Sequence, residues 1–284
     1  MMLEDEVAGK ARSVKEASAA LYTCTSARKN ALLRAVDRRI RRASEAILDA
    51  NSRDLESARL AGLSSVLLDR LTLNEKRIGQ IAAGVREVIA LPDPVGRVSR
   101  TIRRPNKLRV QRMTVPLGAV GIIYEARPNV TIDASALCLK AGNAVLLRGG
   151  SEAINTNRTL VEILRAALTE EGLPAGCVEF IDTTDREAVL LMIRQEKSLD
   201  VIIPRGGRQL IAFIQEHASV PVIVHGEGNC HVFVDRSADL DMAEAIVVNA
   251  KVQRPSVCNA AEKLLVHERI ARKFLPRVAG KLRE

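Results

Sequence analysis

From residue 115 to 234 the sequence keeps switching between short apolar runs and longer stretches of helical period. The pattern predicts a strand over 120–124, a helix over 131–141 closed by Gly142, and a strand over 144–147. A long helix over 152–171 is stopped by Gly172 and Pro174. Then come a strand over 178–181, a helix over 186–195, a strand over 201–203 and a helix over 208–217. Residues 222–224 and 232–234 are again strand-like. Strands that alternate with helices form a parallel sheet covered by helices, an α/β fold. Such sheets bind ligands in the loops beyond the carboxyl ends of their strands. The loops after 124, 147 and 203 are therefore where chemistry is expected.

The segment ahead of this alternation reads as helices. Leu32, Leu33, Val36, Ile40, Ile47 and Leu48 follow a 3.6-residue period over 31–48, with arginines on the other faces. Thr72-Leu73-Asn74-Glu75 has the form of a capping box, and Ile78, Ile81, Val85 and Ile89 continue as one helical face. Leu91-Pro92-Asp93-Pro94 ends that helix. Residues 97–112 hold seven basic side chains and no acidic one, with Val98, Ile102, Leu108 and Val110 between them. This reads as an exposed strand or hairpin. Its charge either discourages edge pairing or serves an oligomer contact.

Composition removes several classes. With 47% hydrophobic residues, the 284-residue chain can build a sizeable core, so disorder is not expected. No apolar run approaches the ~20 residues of a membrane span, and the acidic start Met1-Met2-Leu3-Glu4-Asp5-Glu6 is not a secretory signal. The five cysteines are scattered and never spaced C-x-x-C, which argues against a disulfide framework and a metal site and for the reducing cytoplasm. A net charge of +9 invites a nucleic-acid reading, but 2% aromatic residues and no tryptophan leave no stacking platform. Small anionic ligands are the better match to the charge.

Two of the strand-to-helix junctions share a composition. They are Leu147-Arg148-Gly149-Gly150-Ser151-Glu152 and Ile203-Pro204-Arg205-Gly206-Gly207-Arg208. Glycines let the backbone approach a ligand closely, and a helix N-terminus attracts phosphate. Neither is G-x-G-x-x-G nor a Walker loop. A third junction, Tyr124-Glu125-Ala126-Arg127-Pro128-Asn129, puts an asparagine just before a helix. Asn129 serves either as a helix cap or as an amide donor to a developing oxyanion. Arg127 suits a phosphate, a carboxylate or a surface ion pair. Of the four histidines, His225 sits in a glycine-rich loop, where a structural role is expected.

The nucleophile candidate is Cys258, in Gln253-Arg254-Pro255-Ser256-Val257-Cys258-Asn259. Thiolate is the attacking form, and Arg254 and exposed backbone N–H groups favour it. The alternative is a buried cysteine acting as a small hydrophobe.

Taken together, these strings resemble the gamma-glutamyl phosphate reductase branch of the aldehyde dehydrogenase superfamily. The resemblance rests on Val-Pro-Leu-Gly and Ile-Tyr-Glu-Ala-Arg-Pro-Asn-Val-Thr within 115–131, and on Lys-Ala-Gly-Asn-Ala-Val-Leu-Leu-Arg-Gly-Gly-Ser-Glu at 140–152. It also rests on Ile-Ile-Pro-Arg-Gly-Gly at 202–207 and Val-Asn-Ala-Lys-Val-Gln-Arg-Pro-Ser-Val-Cys-Asn at 248–259.

The resemblance implies a Rossmann-type NADP-binding domain from 1–96 and 114–235, and an edge or oligomerisation segment at 97–113. Residues 236–284 would begin a second, catalytic α/β domain that family members continue further, as in a fragment or a natural truncation. Cys258 becomes the nucleophile, with Asn129 in the oxyanion hole. Arg148, Gly149, Gly150, Ser151 and Glu152 line the adenosine edge of NADPH, with Arg148 facing its 2′-phosphate. Pro204, Arg205, Gly206 and Gly207 lie against the pyrophosphate. Arg127 and Arg254 are assigned to the substrate, L-glutamate 5-phosphate, from their places beside Asn129 and Cys258. Glutamate 5-kinase and further copies of the chain are the implied partners. Hydrolytic aldehyde dehydrogenases carry a glutamate base near residues 222–224, where this chain has only apolar residues.

Overall fold

Helices come first: α1 (Leu3–Tyr22), α2 (Ser26–Arg42), α3 (Ser44–Leu60), α4 (Ser65–Leu71) and α5 (Glu75–Ala90). The computed structural model describes residues 2–224, 228–255 and 257–283. The helix expected over 31–48 is two helices, because Ala43 (φ −96°, ψ 16°) breaks the run between α2 and α3. The buried face continues across the break, from Leu32, Leu33, Val36 and Ile40 to Ile47, so periodicity alone merges the two. The cap of α5 also differs. Asn74 Oδ1 accepts the Arg77 N–H at 2.9 Å, while Thr72 turns its hydroxyl back to Leu68 O at 2.6 Å and closes α4. Asparagine is the stronger N-cap, so the helix starts two residues later than the capping-box pattern implies.

Next is an antiparallel hairpin of β1 (Val98–Arg103) and β2 (Arg109–Met113), with every residue of both strands exposed. The apolar positions Val98, Ile102, Val110 and Met113 are among them.

The alternating segment forms β3 (Ala119–Tyr124), α6 (Asn129–Lys140), β4 (Ala144–Arg148), α7 (Ile154–Glu170), β5 (Val178–Phe180), α8 (Glu187–Ile193), β6 (Val201–Arg205) and α9 (Arg208–His217). The four strands lie in the order β5-β4-β3-β6, and every pairing is parallel. All of β3 and β4 is buried, as expected for strands covered on both faces. Helices α1, α6, α7 and α8 pack on this sheet. The chain leaves β3 toward β4 on one side, while β6 lies on the other side, so strand order reverses between β3 and β6. In an open α/β sheet, that reversal opens the ligand crevice.

Two expected strands fall elsewhere. Residues 222–224 contribute only a single bridge, Val222 to Ile202. Strand β7 (His231–Val234) pairs in parallel with β8 (Lys263–Val266), not with the main sheet. The chain divides into two compact units after Val224, earlier than the expected boundary at 235. Alternation alone could not show this, because the partner of β7 comes later in the chain. The second unit also holds α10 (Leu240–Val252) and α11 (Glu268–Lys281). Its own core comprises Val234, Ala243, Val247, Phe274 and Val278.

Candidate functional site

Three βα junctions of the first unit meet at the carboxyl ends of β3, β4 and β6. Glu125 N–H donates to Arg205 O at 3.3 Å, and Glu125 Oε2 accepts the Gly207 N–H at 3.1 Å. Glu152 Oε1 accepts the Ala126 N–H at 2.6 Å. The loop after β3 is thus tied to both glycine turns. Sequence reasoning missed Glu125; the available signal was its place directly after a buried strand.

The two helix starts behind the glycine turns differ. The start of α7 is closed by Asp54, a carboxylate on α3 that is only 2% exposed. Asp54 Oδ1 accepts Asn155 N–H at 3.1 Å and Asn155 Nδ2 at 2.9 Å. Its Oδ2 accepts Thr156 N–H at 2.8 Å and Thr156 Oγ1 at 2.6 Å. A phosphate cannot take those groups. The start of α9 has no side-chain cap from its own Gly207, and a Cβ built on Gly207 meets nothing within 4 Å. Arg205 and Arg208 flank it, both exposed. Unfilled space beside Gly207 and positive charge thus coincide at a helix N-terminus, the kind of place that attracts anions, and Glu125 Oε2 already takes the Gly207 N–H there. Pro204 sits back from this turn, buried inside β6 opposite Ile123.

Gly149 is fixed by a buried polar chain beneath it. Thr131 Oγ1 donates to Asn157 Oδ1 at 2.8 Å, and Tyr124 Oη lies 2.6 Å from Thr131 Oγ1. The single hydroxyl hydrogen of Thr131 is spent on Asn157, so Tyr124 donates to Thr131. A Cβ on Gly149 would lie 2.3 Å from Asn157 Nδ2 and 3.0 Å from the Tyr124 ring. Arg148 is buried too. Its guanidinium donates to Gly149 O at 2.7 Å and Asp185 O at 3.3 Å, while its Nε and Asn157 Nδ2 have no protein partner. Burial pulls the Arg148 pKa below its usual range, and Glu152 opposes that shift. The guanidinium thus braces the turn from inside, instead of standing open at its edge.

Asn129 is the first residue of α6, not its cap; the N-cap position is Pro128. Asn129 Nδ2 donates to Asp133 Oδ2 at 2.8 Å. An amide nitrogen carries two hydrogens, so one remains for another acceptor. Burial raises the Asp133 pKa, opposed by the Asn129 hydrogen bond. Arg127 is half-buried in the same loop, and its carbonyl accepts the Val130 N–H at 3.1 Å.

Cys258 and Arg254 belong to the second unit. Cys258 is exposed, which disfavours the buried-hydrophobe alternative. Its carbonyl accepts the Cys230 thiol at 3.4 Å, and a Cβ on Gly228 would lie 2.5 Å from the same oxygen. Arg254 is exposed, and its carbonyl accepts the Val257 N–H at 3.2 Å. His225 and Ser256 lie outside the described residues. Among the described residues, no group of three or more His, Cys, Asp or Glu is placed to hold a metal, and no helix is long and apolar enough to cross a membrane.

Comparison with known proteins places this architecture. The chain is 56% identical over 279 residues to the gamma-glutamyl phosphate reductase of Moorella thermoacetica, covering 98% of this chain and 67% of that protein. It is 51% identical over 282 residues to the gamma-glutamyl phosphate reductase of Geobacter metallireducens, covering 99% and 68%. The crystal structure of gamma-glutamyl phosphate reductase from Thermotoga maritima superposes with a TM-score of 0.93 at 49% identity, over 98% of this chain and 67% of that one. The Saccharomyces cerevisiae enzyme of the same name gives 0.71 at 30% identity, over 99% and 69%. The chain thus spans about two thirds of the length of these relatives. With the aldehyde dehydrogenase family model matching residues 4–284, the chain belongs to the aldehyde dehydrogenase family.

Proposed function

We propose that the protein to which this chain belongs reduces L-glutamate 5-phosphate to L-glutamate 5-semialdehyde and phosphate, a step toward proline, with NADPH as cofactor. The observation that carries the reading is the crevice between β3 and β6, where the Arg205-Gly206-Gly207 turn puts positive charge and unfilled space at a helix start beside the Asn129 loop, with Glu125 on the Gly207 N–H as the anion a phosphate would displace. The names of its close relatives point the same way.

In this reading the Cys258 thiolate attacks the acyl carbon of the substrate. The C–O bond to phosphate breaks, phosphate leaves with the electron pair, and a thioester remains on sulfur. Splitting the reaction in this way is what covalent catalysis achieves. Asn129 offers its second amide hydrogen to the carbonyl oxygen as that oxygen gains charge, held in line by Asp133. One such donor typically contributes ~3–4 kcal/mol to lowering the barrier. NADPH, when bound, would supply hydride to the thioester carbon; the C–S bond then breaks, Cys258 leaves as thiolate with the electron pair, and the aldehyde is released. Arg127 and Arg254 are assigned to the phosphate and carboxylate of the substrate. Arg148 braces the adenosine-side turn. The exposed hairpin β1–β2, with its apolar Val98, Ile102, Val110 and Met113, suits a contact with a second copy. Five unpaired thiols accord with the cytoplasm.

The test has two arms. NADPH fluorescence is titrated on the 284-residue chain, and turnover of L-glutamate 5-phosphate is measured on the whole protein with and without Cys258→Ala. Binding by the chain and loss of turnover without loss of binding are expected. Near-normal rates in Cys258→Ala would rule out the covalent route.

A further inference from the structure

We propose that Glu152 is a positioning residue: its carboxylate reaches back across the Gly149–Gly150 turn and holds the loop that delivers Asn129. The inference rests on the oxyanion role of Asn129 proposed above.

The bond at its centre is Glu152 Oε1 to the Ala126 N–H, 2.6 Å. An ionised acceptor at that distance makes one of the stronger kinds of hydrogen bond. Its donor sits in an unusual place. Ala126 has φ +36°, a left-handed conformation that residues with a Cβ seldom adopt unless their surroundings hold them there. Three residues later, Asn129 opens α6. The direction in which the chain enters α6 is therefore set at Ala126, and Glu152 pins that residue.

Gly150 supports the same role. Its backbone, φ −59° and ψ 146°, is open to any residue, so conformation does not call for glycine. Space does. A Cβ at Gly150 would lie 2.3 Å from Glu152 Oε1 and 2.6 Å from both Cδ and Oε2. The Glu152 carboxylate fills the place a side chain would take. The second glycine of this turn thus serves the protein's own carboxylate, not the approach of a ligand. Glu152 is itself firmly seated, because the 3-10 turn Ser151–Ala153 runs into the α7 start that Asp54 closes. A rigid path leads from α3 through α7 and Glu152 to Ala126 and on to Asn129.

Amide hydrogen exchange on the 284-residue chain tests this without turnover. In Glu152→Ala, peptides covering residues 124–131 should exchange about tenfold faster, the effect of losing a hydrogen bond of about 1.4 kcal/mol. Glu152→Gln keeps an acceptor oxygen and should restore slow exchange. Gly150→Ala, which displaces the carboxylate, should mimic Glu152→Ala and serves if that variant fails to fold. NADPH affinity should stay within about twofold of the parent, and in the whole protein kcat should fall while KM for NADPH holds. Unchanged exchange in Glu152→Ala would overturn the proposal. So would weakened NADPH binding with unchanged exchange, which would make Glu152 a cofactor ligand. If the parent chain binds no NADPH, the functional reading fails, and the exchange arm still decides the role of Glu152.

Discussion

Thr156 gives both its backbone N–H and its hydroxyl hydrogen to one oxygen of Asp54, at 2.8 and 2.6 Å, and neither residue is appreciably exposed. Asn51, one turn earlier on α3, donates to Thr156 Oγ1 at 3.3 Å and to Leu71 O at 2.9 Å, and accepts the Leu73 N–H at 2.8 Å. The Asp54→Ala variant strands four donors at once, the two on Thr156 buried and the two on Asn155 half-buried. A loss of about 2–4 kcal/mol is expected from the missing cap and the unsatisfied groups. Asp54→Asn should lose less, because its carbonyl oxygen still accepts. Urea unfolding of the two variants beside the parent measures the difference.

The glycine turns should respond unequally to alanine. At Gly149 the new methyl would collide with Asn157 and Tyr124, both held by the buried chain through Thr131. Overpacking of this kind typically costs about 1–3 kcal/mol. At Gly207 the space is open and φ is −70°, so Gly207→Ala should be within about 0.5 kcal/mol of the parent in stability. The added methyl would still crowd a phosphate at the α9 start, so NADPH affinity should fall while the melting temperature holds. A melting curve and a fluorescence titration on each variant separate the two effects.

Much of this architecture is legible in the amino-acid sequence. Helices α6 and α9, strands β3 and β4 and both glycine turns stand in the alternation of apolar runs, because strands buried on both faces admit little else. The contrast between the two turns is not legible there. It depends on Asp54, about a hundred residues away from the helix it caps, and the only local sign is a pair of polar residues, Asn51 and Asp54, on the apolar stripe of α3. The pairing of β7 with β8 is hidden for a similar reason: a parallel partner leaves no mark on the strand itself. The family resemblance implies that Glu152 lines the adenosine edge of the cofactor. Its use of the Ala126 N–H follows from a backbone angle that sequence does not reveal.

Glu125 occupies, through Oε2, the Gly207 N–H that an incoming phosphate would take. A carboxylate there is a competing anion built into the crevice. Glu125→Gln keeps the size and removes the charge, so NADPH should bind several-fold more tightly, with the gain largest at low ionic strength. Fluorescence titration at two salt concentrations measures this. Equal or weaker binding in the variant would place the cofactor's phosphates elsewhere.

The link between α2 and the hairpin should be sensitive to acid. Lys29 is only 1% exposed and its Nζ lies 2.6 Å from Asp93 Oδ2, in the segment between α5 and β1. Ser26 Oγ donates to the same oxygen at 2.5 Å, and Val95 N–H to the other at 2.9 Å. Burial pushes the Asp93 pKa up, but the hydrogen bonds from Lys29, Ser26 and Val95 outweigh it, and the net shift is downward. A carboxylate whose folded pKa is depressed stabilises the fold above its unfolded pKa of about 3.9, and that contribution is lost as pH falls through the lower folded value. Lys29→Met leaves the carboxylate without its ammonium partner and should cost about 3 kcal/mol near neutral pH. As pH falls through that depressed folded value the parent loses the same interaction, so the two stability curves should converge toward the acid end. Unfolding free energies of parent and variant, measured from pH 7 down to pH 2.5, check this. A gap that stays constant over that range would mean that Lys29 acts through packing, with no contribution from its charge.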